Sequence, residues 1–169
     1  MKLFILLILT FGLSCKSQSQ LTTTEPKLEF KFTGLTFLSS KCYGTCPDIS
    51  MNIYDDNRIE ISRAIYSKKG QVDTNLNGNF KGTLSEKEFN KVVSLLKTIN
   101  WDTVIFPKVL CCDAPIVTLM FSNKGTYMRF KSMTPPQSTN ALIKYLTDLG
   151  SKVILPKYDK PIDFEDFEL

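Results

Sequence analysis

The chain has 169 residues, 43% apolar and 22% charged, with five cysteines and no histidine. The apolar and charged shares are those of an ordinary globular protein, and the length beyond a leader suits one domain with its own core. Without imidazole there is no Ser-His-Asp or Cys-His pair, no His-bearing zinc or blue-copper site and no imidazole proton shuttle.

A Walker phosphate loop and the Gly-x-Gly-x-x-Gly dinucleotide fingerprint are also missing. The net charge of +4 falls to +3 if Lys2 leaves with a leader, too mild and scattered to favour a nucleic-acid partner. Chemistry would have to use carboxylates, lysines or thiols, and their spacing forms no catalytic constellation. The expectation is a protein that is not an enzyme and needs no cofactor.

Met1 to Cys15 is one lysine, an almost wholly apolar run and then Leu13-Ser14-Cys15. It reads as a bacterial lipoprotein signal over residues 1–14, with Cys15 the acylated residue and the membrane its partner. Gly12 stands where such signals carry Leu, Val or Ile, so a plain secretory signal is the alternative. A spanning anchor fits less well, since the apolar run of about 11 residues falls short of the roughly 20 needed. Residues 15–26, rich in Ser, Gln and Thr, read as a flexible tether. A single domain is expected over residues 27–155 and an acidic tail over residues 156–169. The address is the cell envelope, on an outer membrane or the periplasmic face of a membrane, with an envelope protein as a further partner.

In chain order, Leu28 to Leu38 reads as a strand through the alternation of Leu28, Phe30 and Phe32. Asp48 to Tyr54 and Arg58 to Tyr66 flank the turn cluster Asp55-Asp56-Asn57 and form a hairpin. Lys68-Lys69-Gly70 reads as a solvated loop, Asn77-Gly78 as a turn, and Gly78 to Leu84 as a third strand. A helix then begins at Ser85, with Glu88 closing a capping box and Leu84 facing Phe89 as a staple. Phe89, Val92, Val93, Leu96 and Ile99 make its apolar stripe. Pro115 to Ser122 and Thr126 to Lys131 form a second hairpin around Asn123-Lys124-Gly125. Thr134-Pro135-Pro136-Gln137 opens a second helix with Leu142, Tyr145, Leu146 and Leu149 on one side, ending at Gly150. Antiparallel hairpins with two helices on one face predict an α+β two-layer sandwich in ββ(β)α–ββα order.

The chemistry resides in Cys42-Tyr43-Gly44-Thr45-Cys46-Pro47 and in the adjacent Cys111 and Cys112. In extended chain the Cα atoms of Cys42 and Cys46 would lie about 13 Å apart, so a bridge between them needs the tight turn that Gly44 and Pro47 allow. In an oxidising envelope a structural disulfide is the default, and Cys42–Cys46 is favoured. A cross-link from that turn to Cys111 or Cys112 is the rival, and the pairing of the second two cysteines is open. The alternative function is thiol-based redox or Cu(I) handling at Cys42 and Cys46. Cys-x3-Cys-Pro is similar to the motif of copper-delivering proteins of the Sco type, but there it opens a helix and a distant histidine completes the site. Tyr43 and Asp113 are the candidate ligand contacts. The simpler role for Asp113 is a turn residue bonding nearby backbone N–H groups.

These features together resemble domain of unknown function family 6438. The resemblance rests on a lipoprotein signal, Cys-x-Gly-x-Cys-Pro entering a strand, Asp-Asp-Asn before the return strand, and Asp113-x-Pro115 entering a later one. It runs from about Phe37 to Gly150 and is most specific at Cys42 to Pro47. It departs at Ile49, where an aromatic is expected, and at Cys111-Cys112. The resemblance implies a fold and an address among envelope lipoproteins, and it transfers no catalytic residue.

Overall fold

The computed structural model describes residues 32–108, 113–123 and 125–164. The expected signal, the tether, Cys15, Cys111 and Cys112 lie outside these residues, as do the last five residues of the acidic tail. The strands are β1 (Gly34–Ser39), β2 (Asp48–Tyr54), β3 (Arg58–Ala64), β4 (Tyr66–Lys68), β5 (Gln71–Val72), β6 (Gly78–Thr83), β7 (Val117–Asn123) and β8 (Thr126–Ser132). Six of them form one antiparallel sheet in the order β6-β3-β2-β1-β7-β8, and β4 and β5 make a separate small hairpin. The helices are α1 (Glu86–Lys97) and α2 (Asn140–Lys152), the latter entered through a 3-10 turn over Gln137–Thr139. This is the α+β architecture that the patterning predicts.

Register explains the layers. Leu35 pairs with Ile53 and Phe121, Phe37 with Met51 and Leu119, and Ile61 with Met51 and Phe80. All of these are buried, so alternate positions on adjacent strands build one continuous apolar face. Val92, Leu96, Leu142, Leu146 and Leu149 of the helices close that face into the core. The opposite face of the central strands carries Thr36, Asn52, Thr118, Met120 and Ser122, also buried, with Thr36 Oγ1 donating to Asn52 Oδ1 at 2.8 Å.

The helix starts and crossings follow from local chemistry. Ser85 Oγ accepts the Glu88 N–H while the Glu88 carboxylate accepts the Ser85 N–H, a complete capping box that contributes about 1 kcal/mol. Past α1, Trp101 rests edge-on against Phe121 and tilted against Phe130, and its indole N–H donates to the Leu96 carbonyl. That contact anchors the crossover from β6 at one edge to β7 and β8 at the other. The C-terminal end of α2 returns to β2 and β3. There the buried Arg63 donates through Nη1 to the carbonyls of Gly150 (2.7 Å) and Val153 (3.1 Å) and through Nε to that of Leu76 (2.8 Å). A guanidinium at this position satisfies the last helical carbonyls and opposes the negative end of the helix dipole.

Four details differ from the sequence reading. Leu28 and Phe30 of the expected first strand lie outside the described residues; the described strand starts at Gly34, with Leu35 and Phe37 as its core residues. Phe32 instead packs edge-on against Phe89, with ring centroids 5.5 Å apart. The Lys68-Lys69-Gly70 stretch is the turn of the β4–β5 hairpin, where Gly70 takes a positive φ of 74°. Gly150 does not end α2, which runs on to Lys152. A Cβ at Gly150 would lie 2.9 Å from Ile49 Cγ2, so this glycine permits close helix–sheet approach.

The fourth concerns the tail. Its first residues belong to the fold: Lys157 bridges Phe80 on the edge strand β6, Lys81 N–H donates to Pro156 O, and Tyr158 N–H donates to Asn79 O. Together with Leu155 against Gly82, this strap covers an edge that would otherwise offer open backbone groups.

Candidate functional site

The β1–β2 loop holds the motif that stands out in the sequence. Cys42 and Cys46 are joined in a disulfide with Cα atoms 5.4 Å apart, so neither takes part in the rival pairing with Cys111 or Cys112. The turn that spacing demands is made by Tyr43, Gly44 and Thr45, and the N–H groups of Gly44 and Cys46 point at the Cys42 sulfur, at 3.4 and 3.3 Å.

Strand pairing then brings Asp113 to this loop. Because Ser39 lies opposite Val117, the next residue outward on each strand also meets. Ser40 N–H donates to Ile116 O at 3.0 Å, and Ile116 N–H donates to Ser40 Oγ at 2.9 Å. Three residues further out on both chains, the Asp113 carboxylate accepts the Tyr43 N–H. The sequence singles out both residues, but it assigns Asp113 to a local turn; its partner is 70 positions away. A charged acceptor makes such a bond stronger than a neutral pair.

Tyr43 is thus fixed at its backbone while the residue stays 74% exposed. Lys69 of the β4–β5 turn stands over its ring, with Nζ 3.3 Å from the centroid, a cation–π contact. Lys69 went unrecognised because only the folded hairpin, not its solvated-loop signature, places it beside Tyr43. Val72 and Leu76, from the same connection between β3 and β6, are also exposed apolar residues.

The site sits at one end of the sheet. The loop follows Ser39, whereas Gly34 at the start of β1 pairs with Tyr54 beside the Asp55-Asp56-Asn57 turn. The six residues of β1 separate the two ends by about 20 Å. Gly34, where β1 starts, therefore lies at the end remote from Tyr43.

A shallow groove of about 630 Å³ lies elsewhere, lined by Ser85, Lys87, Glu88, Asn90, Lys91 and Ser94 of α1 and by Tyr145 of α2. Ser85 and Glu88 are spent on capping each other, and the Tyr145 hydroxyl donates to the Glu88 carbonyl at 3.5 Å. Among the described residues no cluster of three metal-type ligands occurs, and no helix is long and apolar enough to cross a membrane.

The antiparallel six-stranded sheet, its two helices and the Cys-x-Gly-x-Cys-Pro loop held by Asp113 define a small α+β domain with one disulfide-closed corner. The model of domain of unknown function family 6438 matches residues 33–150, and the chain belongs to that family. No curated protein and no solved structure matches the chain.

Proposed function

We propose that this is a lipid-anchored protein of the bacterial cell envelope, without enzymatic activity, that uses the Cys42–Cys46 loop to hold another envelope protein. The observation that carries the reading is Tyr43: an exposed aromatic on a backbone fixed by Asp113 and a disulfide. Exposed aromatics on rigid loops are what binding hot spots are made of, because little conformational entropy is lost on contact. Polarity along the sheet supports the orientation. A lipid on Cys15 would connect to the domain at the Gly34 end, leaving the Tyr43 end directed away from the membrane.

The test is photo-crosslinking from two exposed positions in the full chain in intact envelopes. A photoreactive residue at Thr45 is expected to give a discrete protein adduct that disappears with Tyr43→Ala, whereas one at Asp55 gives none. No adduct from Thr45, or equal adducts from both ends, overturns the reading. A second reading, thiol-based redox chemistry at Cys42 and Cys46, is favoured by the two backbone N–H groups directed at the Cys42 sulfur.

A further inference from the structure

We infer that the two cysteines are chemically unequal, with Cys42 the sulfur that carries the negative charge in thiol–disulfide exchange with a dithiol protein. The inference rests on the thiol-redox reading and goes beyond it by assigning the two roles. Three observations support it, and a fourth, the mix of neighbouring charges, favours neither sulfur.

First, the N–H groups of Gly44 and Cys46 both converge on Cys42 Sγ. Backbone donors favour a thiolate over a thiol, as the start of a helix does in many redox proteins. The strand that follows Cys46 rules out such a helix here, and the turn supplies the donors instead. Second, the position of Cys42 does not depend on the disulfide alone. The Ser40–Ile116 pair and the Tyr43–Asp113 bond hold the N-terminal half of the loop from outside. Third, both cysteines are partly solvent-exposed, so a reagent or partner can reach the bond. Fourth, the neighbouring charges are mixed: Lys41 adjoins Cys42 and Lys69 covers the Tyr43 ring, while Asp113 sits on the Tyr43 N–H and Asp48 opens β2. The two acidic groups oppose a thiolate, the two lysines favour it, and the paired N–H donors single out Cys42.

A thiolate of the dithiol attacks Cys46 Sγ and the sulfur–sulfur bond breaks. The electron pair leaves on Cys42 as thiolate, the better leaving group. The second thiol of the dithiol, deprotonated, then attacks its own sulfur in the mixed disulfide and expels Cys46, which takes up a proton. The dithiol is oxidised to a disulfide, and the protein disulfide is reduced to a Cys42 thiolate and a Cys46 thiol, with the dithiol's other proton released to solvent. In reverse, the Cys46 thiolate opens the partner's disulfide, and the Cys42 thiolate then attacks Cys46 Sγ, expels the partner's sulfur and closes the bond.

The experiment uses the full chain, reduced under native conditions with dithiothreitol, freed of it, and labelled at neutral pH with a trace of iodoacetamide. Tandem mass spectrometry of the peptide holding both cysteines reads the label at each. The expected result is at least a fivefold excess of label on Cys42, lost when labelling is done in urea. Reduction with equal labelling, or with an excess on Cys46, overturns the assignment of roles and leaves the redox reading standing. A disulfide that dithiothreitol opens only after urea is added overturns both.

Discussion

The backbone N–H of Tyr43 is bound by the carboxylate of Asp113, linking the loop between β1 and β2 to the segment that enters β7. Two pieces of chain far apart in sequence thereby form one corner, closed on its other side by the Cys42–Cys46 disulfide. Removing the acceptor tests that corner. Asp113→Ala leaves the Tyr43 N–H without its partner and is expected to cost about 1–2 kcal/mol in urea unfolding. Asp113→Asn, which keeps an oxygen acceptor but not the charge, is expected to lose about half as much.

Arg63 is the second strong constraint. It is buried, and its guanidinium lies 4.4 Å from the Phe80 ring centroid while donating to Leu76, Gly150 and Val153. Burial pulls its pKa below the ordinary arginine value. Arg63→Met removes the donor from three carbonyls and is expected to destabilise by roughly 3 kcal/mol with an unchanged denaturant slope. Arg63→Lys has no planar fork and is expected to restore only part of the loss.

The acid side of the pH dependence has an identifiable contributor on α2. Asp148 accepts from both Lys152 and Lys144, and these bonds hold its carboxyl pKa down at about 2. A depressed folded-state pKa contributes stability that is fully present above the unfolded carboxylate value of about 4. That contribution is lost as the pH falls toward about 2. Asp148→Asn is expected to lower stability modestly at neutral pH, the pairs being solvent-exposed. It is expected to converge with the unaltered chain as the pH falls toward about 2, which flattens this part of the acid limb. Unfolding midpoints measured at several acidic pH values check it.

The strap on β6 separates two truncations. A chain ending at Lys160 keeps the Lys157–Phe80 bridge and the bonds to Asn79 and Lys81, and is expected to unfold as the full chain does. A chain ending at Lys152 loses them and the Leu155 contact with Gly82. It is expected to lose roughly 2–4 kcal/mol and to self-associate with rising concentration, as an uncovered edge strand does.

Much of this fold is legible in the sequence because its signals are local. The β2–β3 hairpin, both helices, the capping box at Ser85 and the tight turn between Cys42 and Cys46 follow from short-range pattern and turn chemistry. The non-local relations are not written there. Alternation across Leu28 to Leu38 gives no warning that the core phase is set by Leu35 and Phe37. The pairing of β1 with β7 has no sequence signature, so the meeting of Tyr43 and Asp113 was legible only as two separate candidates. Lys69 was missed for the same reason, since a solvated turn gives no hint of which ring it will cover. Gly150 looked like a helix terminator because close approach to Ile49 and C-capping both demand the same residue.

Tyr43 is held as a preformed contact by Asp113, and backbone hydrogen exchange at its amide tests this most directly. In the oxidised full chain the Tyr43 amide is expected to be protected well above its unfolded rate. Asp113→Ala should abolish that protection while leaving the β1 and β2 amides as slow as before. A Tyr43 amide that exchanges at the unfolded rate in the unaltered chain, or one whose protection survives Asp113→Ala, would contradict the account.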